Sequence, residues 1–281
     1  MKTIYPVSLV SIVMLLSLLV SPAKAADTEH ISSETSNLSG RQILDEASKR
    51  HDRPYEFEIQ EVSLIDKANN AEKREMRHYK REINSEETRY VLVFSAPSGV
   101  KGVSLLTWQH QGTSDDQWLY LPAYGKEMKR IAKGGRKNYF MGTDYTYEDL
   151  VSESRDKFSY ERLPDETLNG VKSFVIKSVA TDPELQKETG YGYRQLWITQ
   201  DNFMVIQVEF FDQHQQLIKR QRNFEPVNIE GQAWRANKIE MDHIINQHKT
   251  VTTVRERRFE EAAVPEKNFK ERSIIDGALL Q

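Results

Sequence analysis

The sequence predicts a mainly β protein of the α+β class, built on one large, curved antiparallel sheet. From residue 55 onward, about eleven or twelve stretches of roughly 5–10 residues alternate apolar and polar side chains with a period of two, which is typical of strands. Turn signals such as Asn169-Gly170 and Glu230-Gly231 separate these stretches at hairpin spacing. Because only one long helical pattern accompanies so many strands, we expect the sheet to curl on itself.

The long helical pattern begins at Ser39, at the start of the stretch SGRQILDEASKRHD. Ser39 is a suitable N-cap, and the apolar residues that follow lie at helical spacing: Ile43, Leu44 and Ala47. We expect the helix to end at Arg53-Pro54, because the residue before a proline avoids the α region. In the next strand, EFEIQEVSLID, the apolar positions slip by one residue between Ile59 and Val62, which indicates a bulge or a change of face.

Residues 1–25 have the composition of a secretory signal peptide. Lys2 supplies a positive charge, an apolar run of about 14 residues follows, and an Ala-Lys-Ala cleavage site ends at Ala25. The run is short for a transmembrane helix, which needs about 20 residues, so an uncleaved anchor is the weaker interpretation. We therefore expect export with cleavage near Ala25, a flexible leader over residues 26–38 and a single domain over residues 39–281.

Charge and cysteine content exclude several classes of protein. The chain has 39 Lys and Arg against 42 Asp and Glu, and removal of Lys2 and Lys24 with the signal peptide leaves 37 against 42, a net charge of −5. A chain this acidic is not a general nucleic-acid binder. Because the sequence contains no cysteine, disulfides, thiolate metal sites and cysteine nucleophiles are excluded.

The sequence contains no catalytic motif, and we predict neither an enzyme nor a cofactor. It has no phosphate-binding loop, GxSxG elbow or HExxH motif. The adjacent Glu148 and Asp149 are candidates for a glycosidase pair, but nothing indicates burial, and a solvated acidic loop is the better interpretation. His243 and His248 would share a face only if a turn fell between them, so we interpret them as solvated or hydrogen-bonded strand residues and not as a zinc site.

A basic run occupies residues 126–137. It contains six cationic side chains: Lys126, Lys129, Arg130, Lys133, Arg136 and Lys137. Aromatic residues follow, a combination found in single-stranded nucleic-acid sites, yet export and net acidity count against that use. Two interpretations remain, a solvated loop and a cationic rim that meets anionic lipid headgroups or an acidic partner.

Large apolar residues recur on the predicted strands at positions that can share one face. The alternation places Tyr90, Leu92 and Phe94 together, and Met76 with His78 on one side of the preceding strand. Such residues either pack an ordinary core beneath helices or line an apolar cavity. One long helix is too little to fill a wide concave face, so a cavity for a lipid or acyl chain is consistent with the geometry of large curved sheets.

A longer pattern spans residues 118–149. It comprises Trp118-x-Tyr120-x-Pro122, then Lys-Arg-Ile at 129–131, then FMGTDYTYED at 140–149. Upstream the stretch LVFSAPSGVKGVSLL continues it, and downstream the strand with Trp197 and the stretches VIQVEFFD and WRANKIEMDH do so. With these motifs, essentially the whole mature chain resembles the outer-membrane lipoprotein-sorting-like family, which shares the fold of the periplasmic lipoprotein carriers LolA and LolB.

The resemblance implies an incomplete antiparallel β-barrel with a few helices covering its open side, around an apolar cavity. It also implies a periplasmic, monomeric carrier of lipid or lipoprotein acyl chains for outer-membrane trafficking. An RND-type inner-membrane exporter is the implied partner, and nucleic acid is not one. The alternative is a non-carrier adaptor or docking module of an envelope transport complex, with a filled core.

Two groups of residues are expected to form the site. The first lines the cavity or its mouth: Tyr90, Leu92, Phe94, Trp118, Tyr120, Phe140, Met141, Trp197 and Phe210. The second lies at the rim and faces a partner: Lys129, Arg130, Asp144 and Tyr145. In this hypothesis the walls hold an acyl chain by burial, since each CH₂ removed from water contributes about 0.8 kcal/mol.

Overall fold

Residues 37–281 are described in the computed structural model of this chain, so the predicted signal peptide 1–25 and residues 26–36 of the predicted leader lie outside the described residues. The described part contains one antiparallel sheet of 13 strands. The strands are β1 (Tyr55–Ile65), β2 (Ala71–Asn84), β3 (Glu87–Ala96), β4 (Ser104–His110), β5 (Asp116–Tyr120), β6 (Met128–Arg130), β7 (Phe158–Leu168), β8 (Val171–Ala180), β9 (Tyr193–Thr199), β10 (Val205–Phe211), β11 (Leu217–Glu230), β12 (Ala233–His243) and β13 (His248–Arg258). Sequence reasoning missed β6, because three residues are too few to show an alternation.

The strand order confirms the predicted mainly β fold with its large antiparallel sheet. The order is β6-β5-β4-β3-β2-β1-β13-β12-β11-β10-β9-β8-β7. β6 and β7 are therefore the two edges, and residues 131–157 carry the chain from one edge to the other. Short 3₁₀ helices occupy several connections: Pro122–Tyr124, Lys133–Gly135, Glu148–Leu150, Arg155–Lys157, Glu261–Ala263, Glu266–Phe269 and Ala278–Leu280.

The α-helices of the described residues are short: α1 (Gly40–His51), α2 (Pro183–Thr189) and α3 (Glu271–Ile275). α1 begins with a capping box, in which Ser39 Oγ accepts from the Gln42 N–H and the Gln42 side chain accepts from the Ser39 N–H. It ends at His51, just before the predicted proline stop. A Cβ on Gly40 would lie 2.9 Å from the carbonyl oxygen of Tyr160 in β7, so the glycine allows α1 to approach this edge closely.

Two local predictions about the strands are confirmed. The apolar residues of β1 change from one face of the sheet to the other. Ile59 packs in an apolar cluster on one side, whereas Val62 lines a cavity on the other side. The pairing of β1 with β13 also shifts register between Ile59 and Gln60. The turn between β7 and β8 consists of Asn169 and Gly170, whose φ values of 51° and 84° match a two-residue hairpin turn.

The C-terminal segment, residues 261–280, covers the face of β1–β5 that we call the outer face. Buried residues of both form one cluster: Phe57, Tyr79, Val91, Val93, Leu106, Tyr120, Val264, Phe269, Ile274 and Leu279. Arg77 and Tyr79 donate hydrogen bonds to the carbonyl oxygen of Leu279 at 2.7 and 3.3 Å. These contacts fix the end of the chain to the outside of the sheet.

The opposite, inner face is covered by α1 and by residues 139–153, here called the inner segment. The helix packs on β8 and β9 through a second cluster: Ile43, Leu44, Ala47, Phe174, Ile176, Ile198 and Phe203. The inner segment packs on β3 and β4, where Phe140 and Tyr147 meet Leu92, Phe94 and Leu105. Within residues 37–281, no helix has both the length and the apolar character needed to cross a membrane.

Candidate functional site

A tight reversal and aromatic packing hold the inner segment against the sheet. The Phe140 N–H donates to the carbonyl oxygen of Tyr145 at 2.8 Å. Met141 and Gly142 take φ values of 49° and 78°, a left-handed conformation that glycine adopts without strain. Phe140 stacks on Phe94 of β3, with 5.6 Å between the ring centroids. The reversal turns the acidic half of the segment toward the inner face.

A buried ion pair joins the inner segment to β11. Lys219 is fully buried, and its Nζ contacts Oδ2 of Asp149, whose side chain is 3% exposed. Tyr191 donates its hydroxyl to Asp149 Oδ1 at 2.9 Å, and Lys219 also donates to the carbonyl oxygen of Asp144 at 3.3 Å. Burial raises the pKa of Asp149, but the charges of Lys219 and Arg194 outweigh it, so this pKa lies below its ordinary value.

Two further carboxylates of the inner segment meet arginines. Glu148 lies 3.5 Å from Arg136 and 3.6 Å from Arg194, and Glu153 accepts from Arg194 at 2.8 Å. Burial raises the pKa of Glu148 above its ordinary value in spite of both arginines. The interpretation of Glu148 and Asp149 as a solvated acidic loop is therefore wrong. Both side chains can be buried because each has a cationic partner: Arg136 and Arg194 for Glu148, and Lys219 for Asp149.

The structure places Asp144 and Tyr145 inside the sheet and not at an exposed rim. Asp144 is 3% exposed, and its carboxylate accepts from Thr250 Oγ1 at 2.7 Å and lies 2.8 Å from His248 Nδ1. Burial raises the pKa of Tyr145 well above its ordinary value. The reversal at Gly142 is the physical reason, since it turns the tip of the inner segment toward β13.

His243 and His248 face each other across the hairpin between β12 and β13. His243 Nε2 lies 2.9 Å from the hydroxyl of Tyr139, and His248 contacts Asp144 as described above. Each histidine therefore contacts the inner segment. This agrees with their interpretation as hydrogen-bonded strand residues. Within the part of the chain that the structure describes, no group of three His, Asp or Glu side chains is placed to hold a metal ion.

One cavity, here the β1–β3 cavity, lies between the inner segment and the inner face of β1–β3. Its volume is about 270 Å³. Its apolar lining consists of Val62, Met76, Leu92, Phe140, Leu150, Val151 and Ile239. Its polar lining includes Gln60, His78, Tyr90 and Ser152.

A second cavity, here the α1 cavity, lies between α1, the inner segment and β9–β11. Its volume is about 300 Å³. The apolar lining consists of Leu44, Ala47, Val151, Leu196, Val205, Val208 and Phe210. Seven charged or titratable residues also line it: His51, Asp52, Glu148, Asp149, Glu153, Arg155 and Arg194. Asp149 and Val151 border both cavities, so the inner segment lies between them.

The residues predicted to line a cavity divide between the two faces of the sheet. Four border the cavities just described: Tyr90, Leu92, Phe140 and Phe210. Phe94 is fully buried beside Phe140, and Met141 packs against the same cluster. These six therefore lie on the inner face or on the inner segment.

Trp118, Tyr120 and Trp197 lie on the other side, so the prediction that they line the cavity wall is corrected. Tyr120 belongs to the outer-face cluster and Trp118 packs against it. Trp197 donates from Nε1 to Glu166 at 2.9 Å, whereas its neighbour Leu196 borders the α1 cavity. Both faces of this sheet are apolar because both are covered, and alternation alone does not show which face encloses a cavity.

The predicted rim cations Lys129 and Arg130 are exposed on the edge strand β6. Lys129 Nζ lies 5.3 Å from the centre of the Tyr124 ring, and Arg130 pairs with Asp116. Arg136, from the same basic run, is instead buried, and its guanidinium lies 3.1 Å from the carboxylate of Asp115. The basic run is thus mostly exposed to solvent, and only its member Arg136 is buried in ion pairs.

Sequence reasoning missed Lys219 and Arg194, the two cations that hold the inner segment. A signal exists for Arg194, since it alternates with Leu196 and Ile198 and so places a charge on an apolar strand face. Such a position requires a buried partner. The sequence does not identify that partner as Glu153, which lies 41 positions away.

A buried carboxylate, Glu58, lies next to two polar residues of the β1–β3 cavity, Gln60 and His78. Glu58 contacts Arg257 Nε at 2.5 Å and accepts from Gln60 Nε2 at 2.5 Å. Burial raises the pKa of Glu58, but contacts with His78 and Arg257 outweigh it and lower this pKa to about 2. The carboxylate is therefore ionised at neutral pH.

We expect Glu58→Gln to reduce the dependence of stability on pH below pH 4.5. A lowered pKa in the folded state means that the stabilisation is present above the unfolded value of 4.5 and is lost as pH falls toward about 2. The contribution is at most about 3 kcal/mol, since one pKa unit corresponds to about 1.4 kcal/mol. Urea unfolding at pH 7, 4.5 and 3 measures it, with exposed Glu184→Gln as the control. Equal slopes for wild type and Glu58→Gln would contradict the assignment.

Comparison with known proteins identifies the group to which this arrangement belongs. A family model described as an uncharacterized-protein family matches residues 86–276, more than half of the chain. A crystal structure of an outer-membrane lipoprotein-sorting protein domain from Vibrio parahaemolyticus is 28% identical, with a TM-score of 0.78 over 84% of this chain and 98% of that one. The chain belongs to the outer-membrane lipoprotein-sorting-like family. No curated protein sequence matches it significantly.

Two further structures show how widely the fold of this family extends. A DUF1329 family protein from Desulfovibrio piger is 19% identical, with a TM-score of 0.77 over 84% of this chain and 97% of that one. A LolA superfamily protein from Nitrosomonas europaea is 17% identical, with a TM-score of 0.64 over 83% and 98% of the two chains. At this level of identity the likeness shows the LolA-like fold.

Proposed function

We propose that the protein is a periplasmic carrier that binds lipid or lipoprotein acyl chains. The observation that carries the proposal is the pair of cavities on the inner face, of about 270 and 300 Å³, with the inner segment between them. Apolar side chains form much of both linings. Each CH₂ buried there contributes about 0.8 kcal/mol, so about ten carbon atoms gain roughly 8 kcal/mol before entropy losses.

The comparisons support the same class of cargo. The similar domain from Vibrio parahaemolyticus is described as lipoprotein-sorting, and the one from Nitrosomonas europaea belongs to the LolA superfamily. We therefore place this protein in outer-membrane lipoprotein or lipid trafficking, as an exported monomer that acts without enzymatic chemistry. An RND-type inner-membrane exporter is the proposed partner that loads it.

Loading requires the inner segment to shift. Separately, each cavity accommodates only a short stretch of chain, whereas displacement of Val151 and its neighbours would join the two. The segment is held by ion pairs and not by apolar packing alone. Buried ion pairs are costly to form and have strict geometry, so they define one position without adding much net stability. This combination suits a segment that must both leave and return.

We expect Met76→Trp to reduce uptake of a fluorescent fatty acid at least about tenfold. Met76 borders the β1–β3 cavity and is partly exposed, so the larger ring fills the cavity at a moderate cost of about 1–3 kcal/mol in stability. Ile245→Trp is the matched control, because Ile245 is 52% exposed and lines neither cavity. Circular dichroism verifies folding of both variants.

A complementary measurement uses the wild-type protein. Mass spectrometry after gentle purification from the periplasm is expected to detect a bound lipid or lipoprotein. Protein that is free of lipid and takes up no fluorescent lipid would contradict the carrier function.

A docking module of an envelope transport complex is the second candidate function. The observation that favours it is the inner segment itself, whose Phe140, Glu148 and Asp149 already occupy much of the interior. In that case the sheet would be a filled scaffold. Affinity capture of a membrane partner by wild-type protein and by Met76→Trp alike, with no lipid in either sample, would favour this candidate over the carrier.

A further inference from the structure

Four strand connections lie side by side at one end of the sheet. They join β1 to β2, β3 to β4, β5 to β6 and β12 to β13, and the strand order makes these pairs neighbours. The connections are residues 66–70, 97–103, 121–127 and 244–247. A Cβ on Gly102 would lie 3.1 Å from Pro122 Cγ, so the second and third connections touch. Since neighbouring strands lie about 4.8 Å apart, the row follows roughly 30 Å of the sheet.

Three of these connections carry an exposed lysine, namely Lys67, Lys101 and Lys126. Within residues 37–281, none of the three ammonium groups has an acidic partner. The carboxylates of the same connections are Asp66 and Glu127. Asp66 accepts backbone N–H bonds within its own turn, so its charge is already engaged. Cations are therefore in excess at this end of the sheet, which we call the lysine end.

Exposed apolar and aromatic side chains concentrate at the lysine end. Within residues 37–281, five large side chains of this kind are exposed, and four of them lie here: Tyr124, Tyr139, Ile244 and Ile245. Tyr124 is 75% exposed, and Lys129 Nζ lies 5.3 Å from the centre of its ring. The fifth, Val171, begins β8 at the opposite end of the sheet. The lysine end thus presents apolar tips among unpaired cations.

The opposite end of the sheet has the reverse charge. Its strand connections are residues 85–86, 111–115, 169–170, 200–204 and 231–232. They contain Glu86, Asp115 and Asp201 but no lysine or arginine. An anionic surface is therefore attracted by one end of the protein and repelled by the other, which defines an orientation.

We infer that the lysine end docks on a membrane surface that contains anionic lipids. Each lysine near such a surface strengthens binding about fivefold. Tyrosine is favoured at the level of the headgroups, and isoleucine gains from contact with the boundary of the acyl chains. A bilayer accommodates cations and apolar tips from separate connections without a matching shape, so we favour it over an acidic protein partner. The inference goes beyond the carrier function and holds whatever the two cavities bind.

The tip of the inner segment lies at the same end. Asp144 contacts His248 at the start of β13. A Cβ on Gly142 would lie 3.8 Å from Leu64, near the end of β1. A membrane docked at the lysine end is therefore next to the segment that must shift when the proposed carrier is loaded.

Sedimentation with lipid vesicles tests the docking surface. Protein purified from the periplasm is mixed with vesicles of phosphatidylcholine alone or with about 30% phosphatidylglycerol. We expect at least about tenfold tighter binding to the anionic vesicles at low salt, and loss of this difference at about 0.5 M salt, where surface charges are screened.

A triple variant tests the lysines. Lys67→Gln/Lys101→Gln/Lys126→Gln should weaken binding to the anionic vesicles at least about thirtyfold. The matched control is Lys172→Gln/Lys267→Gln/Lys270→Gln, which makes the same change in net charge at exposed positions outside the lysine end. We expect this control to bind within about twofold of wild type.

A double variant tests the apolar tips. Tyr124→Ala/Ile245→Ser should weaken binding to the anionic vesicles about tenfold, because less apolar surface enters the membrane. Val171→Ser removes an exposed apolar side chain at the opposite end and should bind as wild type does. Circular dichroism verifies folding of every variant.

The outcomes separate this inference from the carrier function. Equal binding to the two kinds of vesicle, or an equal loss in the two triple variants, would overturn the inference. Absence of vesicle binding would also overturn it and leave an acidic protein as the occupant of the lysine end. Uptake of a fluorescent fatty acid from solution is measured separately, and its failure with vesicle binding intact would contradict the carrier function alone.

Discussion

Lys219→Met is expected to lower the free energy of unfolding by about 3–5 kcal/mol. The substitution keeps the apolar stem but removes the charge, which leaves Asp149 ionised and 3% exposed without its nearest cation. Removal of one partner of a buried ion pair is costly for this reason, even though the pair itself adds little stability. Urea unfolding followed by circular dichroism measures the change as a shift in the midpoint.

Two controls test whether charge is the cause. Lys187→Met removes a lysine whose pair with Glu184 is exposed, and we expect no measurable shift of the urea midpoint. The double variant Lys219→Met/Asp149→Leu removes both charges and should recover most of the lost stability. If the double variant is as unstable as Lys219→Met, the loss is due to packing and the ion pair does not explain it.

Phe269→Ala is expected to destabilise the protein by about 3–5 kcal/mol, the usual cost of removing a large buried aromatic side chain. Phe269 is fully buried in the outer-face cluster and anchors the middle of the C-terminal segment. Thermal unfolding should show a correspondingly lower Tm. Tyr124→Ala, at a residue that is 75% exposed, should leave Tm nearly unchanged.

The same variant also tests the separation of the two faces. Since the outer-face cluster does not border either cavity, folded Phe269→Ala protein should take up fluorescent lipid with wild-type affinity. A loss of uptake at a temperature where the variant is fully folded would contradict this separation. A stability loss below about 1 kcal/mol would contradict the role of Phe269 as an anchor.

Alternation and turn chemistry predict most of the sheet from the sequence. The period-two pattern places Tyr90 with Leu92 and Met76 with His78, and the structure confirms both groupings. The Asn169-Gly170 turn was predictable because a tight hairpin requires two residues that tolerate positive φ. These features are local, so a single strand or turn contains all the information.

The assignment of faces depends on distant parts of the chain. Trp118 and Tyr120 share a strand face, as the sequence indicates, but the C-terminal segment covers that face and makes it an outer core. For this reason we expect Trp118→Asp to destabilise the fold and not to leave a folded protein that has lost lipid binding. No local pattern reveals which covering element packs on which side.

The interior of the site was the least predictable part. Glu148 and Asp149 look like surface residues in the sequence, because acidic residues are rarely buried unless they are paired. Their partners Arg194 and Lys219 lie on strands far along the chain. Only the folded sheet brings these charges together. The motif FMGTDYTYED at 140–149 therefore identifies the inner segment but does not show that its carboxylates are buried.

The route of the chain between the two sheet edges has a mechanical consequence. Residues 131–157 join edge strand β6 to edge strand β7, and the inner segment is the middle of this connection. We therefore expect the position of the inner segment and the distance between β6 and β7 to change together. Displacement of the inner segment by a bound molecule is therefore expected to change the distance between β6 and β7, by an amount that depends on the size of that molecule.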